Sequence, residues 1–192
     1  MVTLYTLNNK LVKVGSKFYG IITEPTPPEP PDEVTIGTQT WKTKNLAIND
    51  GGSGIYTQTV NYGQGDVVEY YYTWDAAVRI ANSIEGWHLP SSNEWNALAS
   101  AVGGSSTAGT KLKSTYGWTS GNGTDDYGFA AFPAGARYSS GFSSFGTYAN
   151  FWSSTSMGST DAYYKYFKSD ASMHSHYDSR SSGNSVRLIK DS

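Results

Sequence analysis

The chain has 192 residues, enough for one domain of common size plus a smaller appendage. Its formal net charge of -2 excludes the broad basic field that nucleic-acid binding requires, and the absence of cysteine excludes disulfide frameworks, thiol catalysis and thiolate metal sites. Charged residues make up only 16%, while aromatics reach 15%, with 15 Tyr, 6 Trp and 21 Gly. Many Tyr, Ser and Gly with few charges is the composition of a paratope, in which Tyr gives large rigid contacts and Ser and Gly adapt.

The first 22 residues, "MVTLYTLNNKLVKVGSKFYGII", lack an unbroken apolar run, because Asn8, Asn9, Lys10, Lys13 and Lys17 interrupt it. Neither a signal peptide nor a membrane-spanning helix is expected there. "TLYTL" and "KLVKV" flank Asn8-Asn9 as a hairpin, and "KFYGII" adds a third strand, so residues 1–22 read as a small β attachment segment. Residues 23–33, "TEPTPPEPPDE", hold most of the prolines and read as a semi-rigid, polyproline-like linker.

The main domain is expected over 34–192. "VTIGTQTWKTKNL" predicts a hairpin turning near Gly37 and Thr38. "WDAAVRIANSI" places Trp74, Ala77, Val78, Ala81 and Ile84 at helical spacing. A second helix follows Pro90, with Ser91 and Glu94 as a capping box and Trp95, Leu98 and Val102 as its apolar face. Gly103 and Gly104 stop it. Beyond lie short strand-like pieces, "YGFAAFPAGAR", "NFWSST", "AYYKYF" and "SVRLIK". Two early helices and a late cluster of strands predict an α+β fold with long loops.

The phrases "IGTQTWKTKNL", "YYTWDAA", "GWHLPSSNEWNAL", "YGFAAFPAGAR", "FWSST", "AYYKYF" and "SVRLIKD" occur in the order found in the Fibrobacter succinogenes major paralogous domain, which residues 34–192 resemble. The resemblance implies a C-type-lectin-like fold: two helices, a small antiparallel sheet and long loops that display ligand contacts. Related domains serve as variable proteins of diversity-generating retroelements. On that frame Trp74, Trp87, Trp95, Trp118 and Trp152 are expected to anchor an aromatic core.

The stretch Ser169–Asn184 is dominated by Ser, Asp, His, Tyr and Asn. Relatives carry Asn-rich text here. Asn codons begin with two adenines, and mutating those adenines yields His, Tyr, Asp or Ser. The residue set is therefore what adenine-directed diversification of Asn codons produces. "AYYKYF" alternates, so Tyr164 and Tyr166 share one face and Tyr163 and Lys165 the other. The expected ligand contacts are Tyr164, Tyr166, Ser169, Asp170, Ser172, His174, His176, Tyr177, Asp178, Ser179, Arg180 and Asn184. Asn184 departs from the family pattern, which commonly has an aromatic after the Gly that precedes the closing strand. In "SVRLIK", Val186 and Leu188 are expected to point inward.

His174-Ser175-His176, with Asp170 and Asp178 near, offers metal-ligand chemistry, but spacing fixes no third ligand and no metal is assigned. "GNGTDD" offers oxygens from Asn122, Asp125 and Asp126 to a structural calcium, or simply forms a turn; no other cofactor is implied. No phosphate loop, Ser-His-Asp arrangement or paired-carboxylate motif stands out, and His88 reads as structural, so no enzyme activity is expected. The reading that follows is a diversified ligand-binding protein, most readily a phage tail-fibre receptor-binding protein on the virion or an extracellular surface, recognising a bacterial surface protein or glycan. The alternative is a non-diversified bacterial cell-surface adhesin or carbohydrate-binding module. Phage fibres are commonly trimeric, so a homotrimer is expected, with the N-terminal segment docking on a virion or fibre protein. Neither nucleic-acid binding nor membrane insertion is expected.

Overall fold

The structure, a computed structural model, describes residues 12–14, 17–19 and 31–191. The chain divides into two units, Met1–Pro30 and Pro31–Ser192. In the first, strand β1 (Val12–Val14) pairs antiparallel with β2 (Lys17–Tyr19). The turn expected at Asn8-Asn9 and the proline-rich segment up to Pro30 lie outside the described residues.

The second unit begins slightly earlier than Val34. Thr43 ties the entering chain down: its hydroxyl donates to the Pro31 carbonyl at 2.6 Å and its N–H to the Asp32 carbonyl at 3.1 Å. Strands β3 (Glu33–Ile36) and β4 (Gln39–Lys42) form the expected hairpin, with Gly37 at φ 64° supplying the left-handed turn position. A second hairpin, β5 (Ile55–Asn61) and β6 (Asp66–Tyr72), was not expected from sequence. Asn61 closes its turn by accepting from the Gly63 N–H and donating to Asp66.

Helix α1 (Trp74–Ala81) is capped by Thr73 and buries Ala76, Ala77, Ile80 and Ala81. It ends before Ile84, and Trp74 and Val78 are only half-buried, so the buried stripe lies slightly off the expected one. After β7 (Trp87–His88), helix α2 (Ser92–Ala101) starts with the expected capping box, and Trp95, Leu98 and Val102 are all buried. A third helix, α3 (Ser105–Leu112), follows Gly103-Gly104 directly. The later strands are β8 (Ala136–Tyr138), β9 (Gly141–Ser143), β10 (Ala149–Met157), β11 (Asp161–Phe167), β12 (Met173–Ser179) and β13 (Ile189–Lys190). Among the described residues, three helices and several small antiparallel sheets make an α+β fold. Among the described residues, no helix is long and apolar enough to cross a membrane.

Two sheets position the site. One has the order β10-β11-β12; the other runs β3-β4-β13-β7. The segment 182–189 threads between them and is buried throughout. Its backbone pairs on both sides: Gly183 with Arg137, Asn184 with Tyr72, Ser185 with Asn150 and Trp152, Val186 with Leu46, and Leu188 with Lys42. Val186 and Leu188 are buried as expected.

The inner face of β10-β11-β12 carries Phe151, Phe167 and Met173, which pack in one core cluster with Trp95 and Leu98 of α2 and Ala108 and Leu112 of α3. Trp41 joins them, its ring centroid 4.9 Å from Trp95. Trp152 lies in a second cluster with α1, Leu46, Tyr72, Val186 and Leu188. Trp95, Trp118 and Trp152 are therefore core anchors, whereas Trp74 and Trp87 are half-buried at its margin.

Helix α3 carries Gly109 where the 171–172 loop crosses it. A Cβ there would lie 2.6 Å from the Ser172 carbonyl oxygen and 2.7 Å from the Ala171 carbonyl carbon. Gly to Ala inside a helix normally stabilises by about 0.5–1 kcal/mol. Here the clash with backbone reverses the sign, and Gly109→Ala is expected to destabilise by about 1–3 kcal/mol, read as a lower urea midpoint.

Candidate functional site

β11 and β12 pair in full register, with Tyr164 opposite His176 and Tyr166 opposite His174. Alternation puts Tyr164, Tyr166, His174, His176 and Asp178 on the outer face of the sheet. The inner face takes Lys165, Phe167 and Met173, all buried. Lys165 reaches from the inner face to α2 to donate to the Asn96 amide oxygen at 2.9 Å, and burial lowers its pKa. The hairpin is thus fixed from behind by packing while its front stays open.

The front is a set of cross-strand aromatic rows. Tyr166 and His174 stack at 4.8 Å with planes 15° apart. Tyr164 and His176 stack at 6.1 Å, and Tyr164 lies 5.7 Å from Tyr166. β10 extends both rows, with Trp152 opposite Tyr164 and Asn150 opposite Tyr166, while Tyr148 meets Tyr166 at 5.9 Å. Burial falls from β10 outward: Trp152 and Asn150 are buried, Tyr164, Tyr166 and His174 half-buried, and His176 exposed. The face therefore grows out of the core and opens into solvent at β12.

Electrostatics add polar handles. Burial first, then the neighbouring Tyr138 and Asp178, raise the Tyr164 pKa, so its hydroxyl remains a hydrogen-bond donor at neutral pH. Tyr138 is raised likewise, by burial and then by Asp178. The Asp170 carboxylate receives the His174 Nε2 at 2.9 Å and the Ser172 N–H at 2.9 Å. Burial opposes ionisation of Asp170, but the hydrogen bonds from His174 and Ser172 prevail and its pKa is lowered.

Not every expected contact lies on this face. Tyr177 is exposed but points to the opposite side, edge-on to Tyr163 at 6.3 Å. Ser169 is exposed in the β11–β12 loop and Ser172 half-buried beside α3. Ser179 and Arg180 sit at the far end of β12. Arg180 donates to the Gly158 carbonyl at 3.0 Å and stacks over Trp74 at 4.2 Å, holding the β10–β11 turn. Asn184 requires correction: it is 0% exposed, with its backbone bonded to Tyr72 on the buried 182–189 segment. No ligand reaches it. Conversely, Tyr138 and Tyr148 come beside Tyr164 and Tyr166 and were missed, because nothing in "ARYSSGFSSFGTYAN" reveals that long-range approach.

The "GNGTDD" segment caps turns. Asn122 accepts from the Trp118 N–H and Asp125 from the Ala130 N–H. A cation does sit nearby, but it is the chain's own. The Lys113 ammonium donates to the carbonyls of Gly121, Lys168 at 2.8 Å and Asp170 at 2.9 Å. Among the described residues no group of three or more His, Asp or Glu is arranged to hold a metal ion. His174 and His176 do not converge with a third ligand: one is bound to Asp170 and the other stacks on Tyr164.

His88 links two parts of the chain. Its Nδ1 faces Asp191 at 2.6 Å and its Nε2 faces Glu94 at 2.8 Å, tying the end of the chain to the capping box of α2. Burial works against the charged ring, but the two carboxylates outweigh it and raise its pKa above 6.5. A raised pKa means this stabilisation is complete below pH 6.5 and fades as pH rises through the folded value. Urea midpoints are expected to fall with rising pH above 6.5 in the parent chain, and this fall is expected to flatten in His88→Gln.

The profile of the Fibrobacter succinogenes major domain matches residues 34–190. The chain belongs to that family. The matched span covers β4 to β13 and thus both the aromatic face and the buried 182–189 segment of this Fibrobacter succinogenes major domain. No curated protein matches the chain. No solved structure matches it.

Proposed function

We propose that the domain is a ligand-binding protein whose outer β11–β12 face is diversified, carried on a C-type-lectin-like frame. The observation that supports this best is the separation of roles within one hairpin. Tyr164, Tyr166, His174 and His176 form stacked rows on the open side, while Lys165, Phe167 and Met173 lock the closed side to the helices. Aromatic rings with few rotatable bonds give contact area at low entropic cost, which suits a recognition surface. His, Tyr and Asp at neighbouring outer positions are also the residues that adenine mutagenesis of Asn codons yields.

In this reading the domain is a receptor-binding protein, most readily of a phage tail fibre, contacting a bacterial surface protein or glycan. Several copies on one fibre would add avidity to weak individual sites. Sequencing the locus tests the proposal. A reverse-transcriptase gene beside a near-copy of the C-terminal coding segment, differing at adenines in the codons for 164–178, is the expected result. A locus without that near-copy ends the diversification claim and leaves a constitutive adhesin.

A further inference from the structure

A cavity of about 320 Å³ lies between the β5–β6 hairpin and the 43–47 segment, and none of its lining residues belongs to β11 or β12. Its walls are mostly apolar: Val67, Val68, Tyr116 and Phe132. Val67 is 45% and Val68 50% exposed, so this rim stays open to solvent. Tyr116 and Phe132 meet edge-to-face at 5.0 Å, giving the mouth a rigid aromatic side.

The floor is polar and built. Glu69, only 7% exposed, accepts from the Tyr62 hydroxyl at 3.0 Å and the Asn45 amide at 3.1 Å. Asn45 in turn accepts from the Arg187 guanidinium at 3.0 Å, and the Arg187 Nε makes no hydrogen bond within the protein. The Arg187–Asn45–Glu69 chain balances one positive against one negative charge, and the other charged lining residue, Lys44, is paired with Asp32 at 3.3 Å, so the cavity favours neither an anion nor a cation. Each carboxylate oxygen takes one protein donor and keeps a lone pair for another. An apolar cleft with a few convergent polar groups, at the small end of the usual range, fits a compact ligand.

We propose that this cavity is a second binding site, separate from the β11–β12 face, for a small uncharged aromatic compound bearing a hydroxyl, the ring lying between Val68 and Tyr116 and the hydroxyl donating to Glu69. The test uses p-cresol and toluene, which differ only in that hydroxyl, added to the full chain while the methyl resonances of Val67 and Val68 are followed by NMR. p-Cresol is expected to shift these signals saturably, and toluene to bind about tenfold or more weakly, because it cannot donate to the buried carboxylate. Val68→Lys, at an exposed position, is expected to abolish the p-cresol shift with the fold intact. The triple variant His174→Ala, His176→Ala, Tyr177→Ala is expected to bind p-cresol like the parent, so a failed recognition face leaves this result standing. No saturable shift with p-cresol, or equal affinity for toluene, overturns the proposal.

Discussion

Replacing Arg187 with methionine is expected to cost about 3–5 kcal/mol of stability, the scale for breaking a buried charge network from one side. Arg187 is 1% exposed in the middle of the closing segment. Its guanidinium donates to the carbonyls of Lys42 at 3.1 Å, Phe129, and Ala130 at 3.2 Å, and to Asn45. It also lies over the Phe129 ring at 4.5 Å. Burial lowers its pKa to about 10, which still leaves it charged at neutral pH. Methionine replaces only the aliphatic stem and supplies no donors, so three carbonyls and the Asn45 amide oxygen lose their partner, and Glu69 loses the charge that balances it. Arg187→Lys is expected to recover only part of the loss, because one ammonium cannot reach all four acceptors in the planar fork geometry. Urea unfolding of the two variants checks both the size and the order.

The second large effect concerns Lys113. Its side chain is 2% exposed, and its ammonium joins two loops that would otherwise face each other with bare carbonyls, 121–123 and 168–170. Both loops crowd in closely: a Cβ on Gly121 would collide with the Ser169 carbonyl, and one on Gly123 with the carbonyl of Lys113 itself. Burial lowers the Lys113 pKa, and Asp170 opposes that shift. Lys113→Met is expected to cost about 3 kcal/mol, since unpaired buried acceptors cost roughly 1–3 kcal/mol each and part of that is relieved by loop movement. The loss should be local as well as global. Amide exchange at 168–172 is expected to speed up more than at β10 or α2, because Lys113 is what fastens the start of the β11–β12 hairpin. Uniform acceleration across the domain would count against that role.

How much of this was readable from residues alone follows the physics of each element. The β3–β4 turn, the α2 capping box and the alternation of Tyr164 and Tyr166 are local patterns, and all three are found in the structure. Helix α3 was invisible because Gly103-Gly104 reads as a stop and "SSTAGTKL" has weak helix formers. It exists because Ala108 and Leu112 find a core and Gly109 lets the 171–172 loop approach. The β5–β6 hairpin went unrecognised because its turn, "YGQG", is not among the two-residue hairpin signals.

The polar window misled at its end for a related reason. Ser182, Gly183 and Asn184 look like loop residues, yet they begin the buried segment that pairs with Arg137 and Tyr72. Small side chains suit that place: a Cβ on Gly183 would lie 3.1 Å from the Arg137 Cβ and 3.2 Å from the Tyr71 Cβ. Arg187 and Lys113 were overlooked because their partners are backbone carbonyls distant in sequence, which no motif announces. The outer face was half legible: the rows on β11 and β12 follow from alternation, while Tyr138 and Tyr148 arrive only through tertiary folding.

On the proposed function, the outer face of β11–β12 is free to vary because other residues hold the frame. Two displayed libraries with the same adenine-to-any mutagenesis test it by survival under protease. One library randomises positions 148, 174, 176 and 178; the other randomises 113, 165, 184 and 187. Most members of the first library are expected to resist protease as the parent does, and most of the second to be cleaved. Equal loss of resistance in both libraries would contradict it.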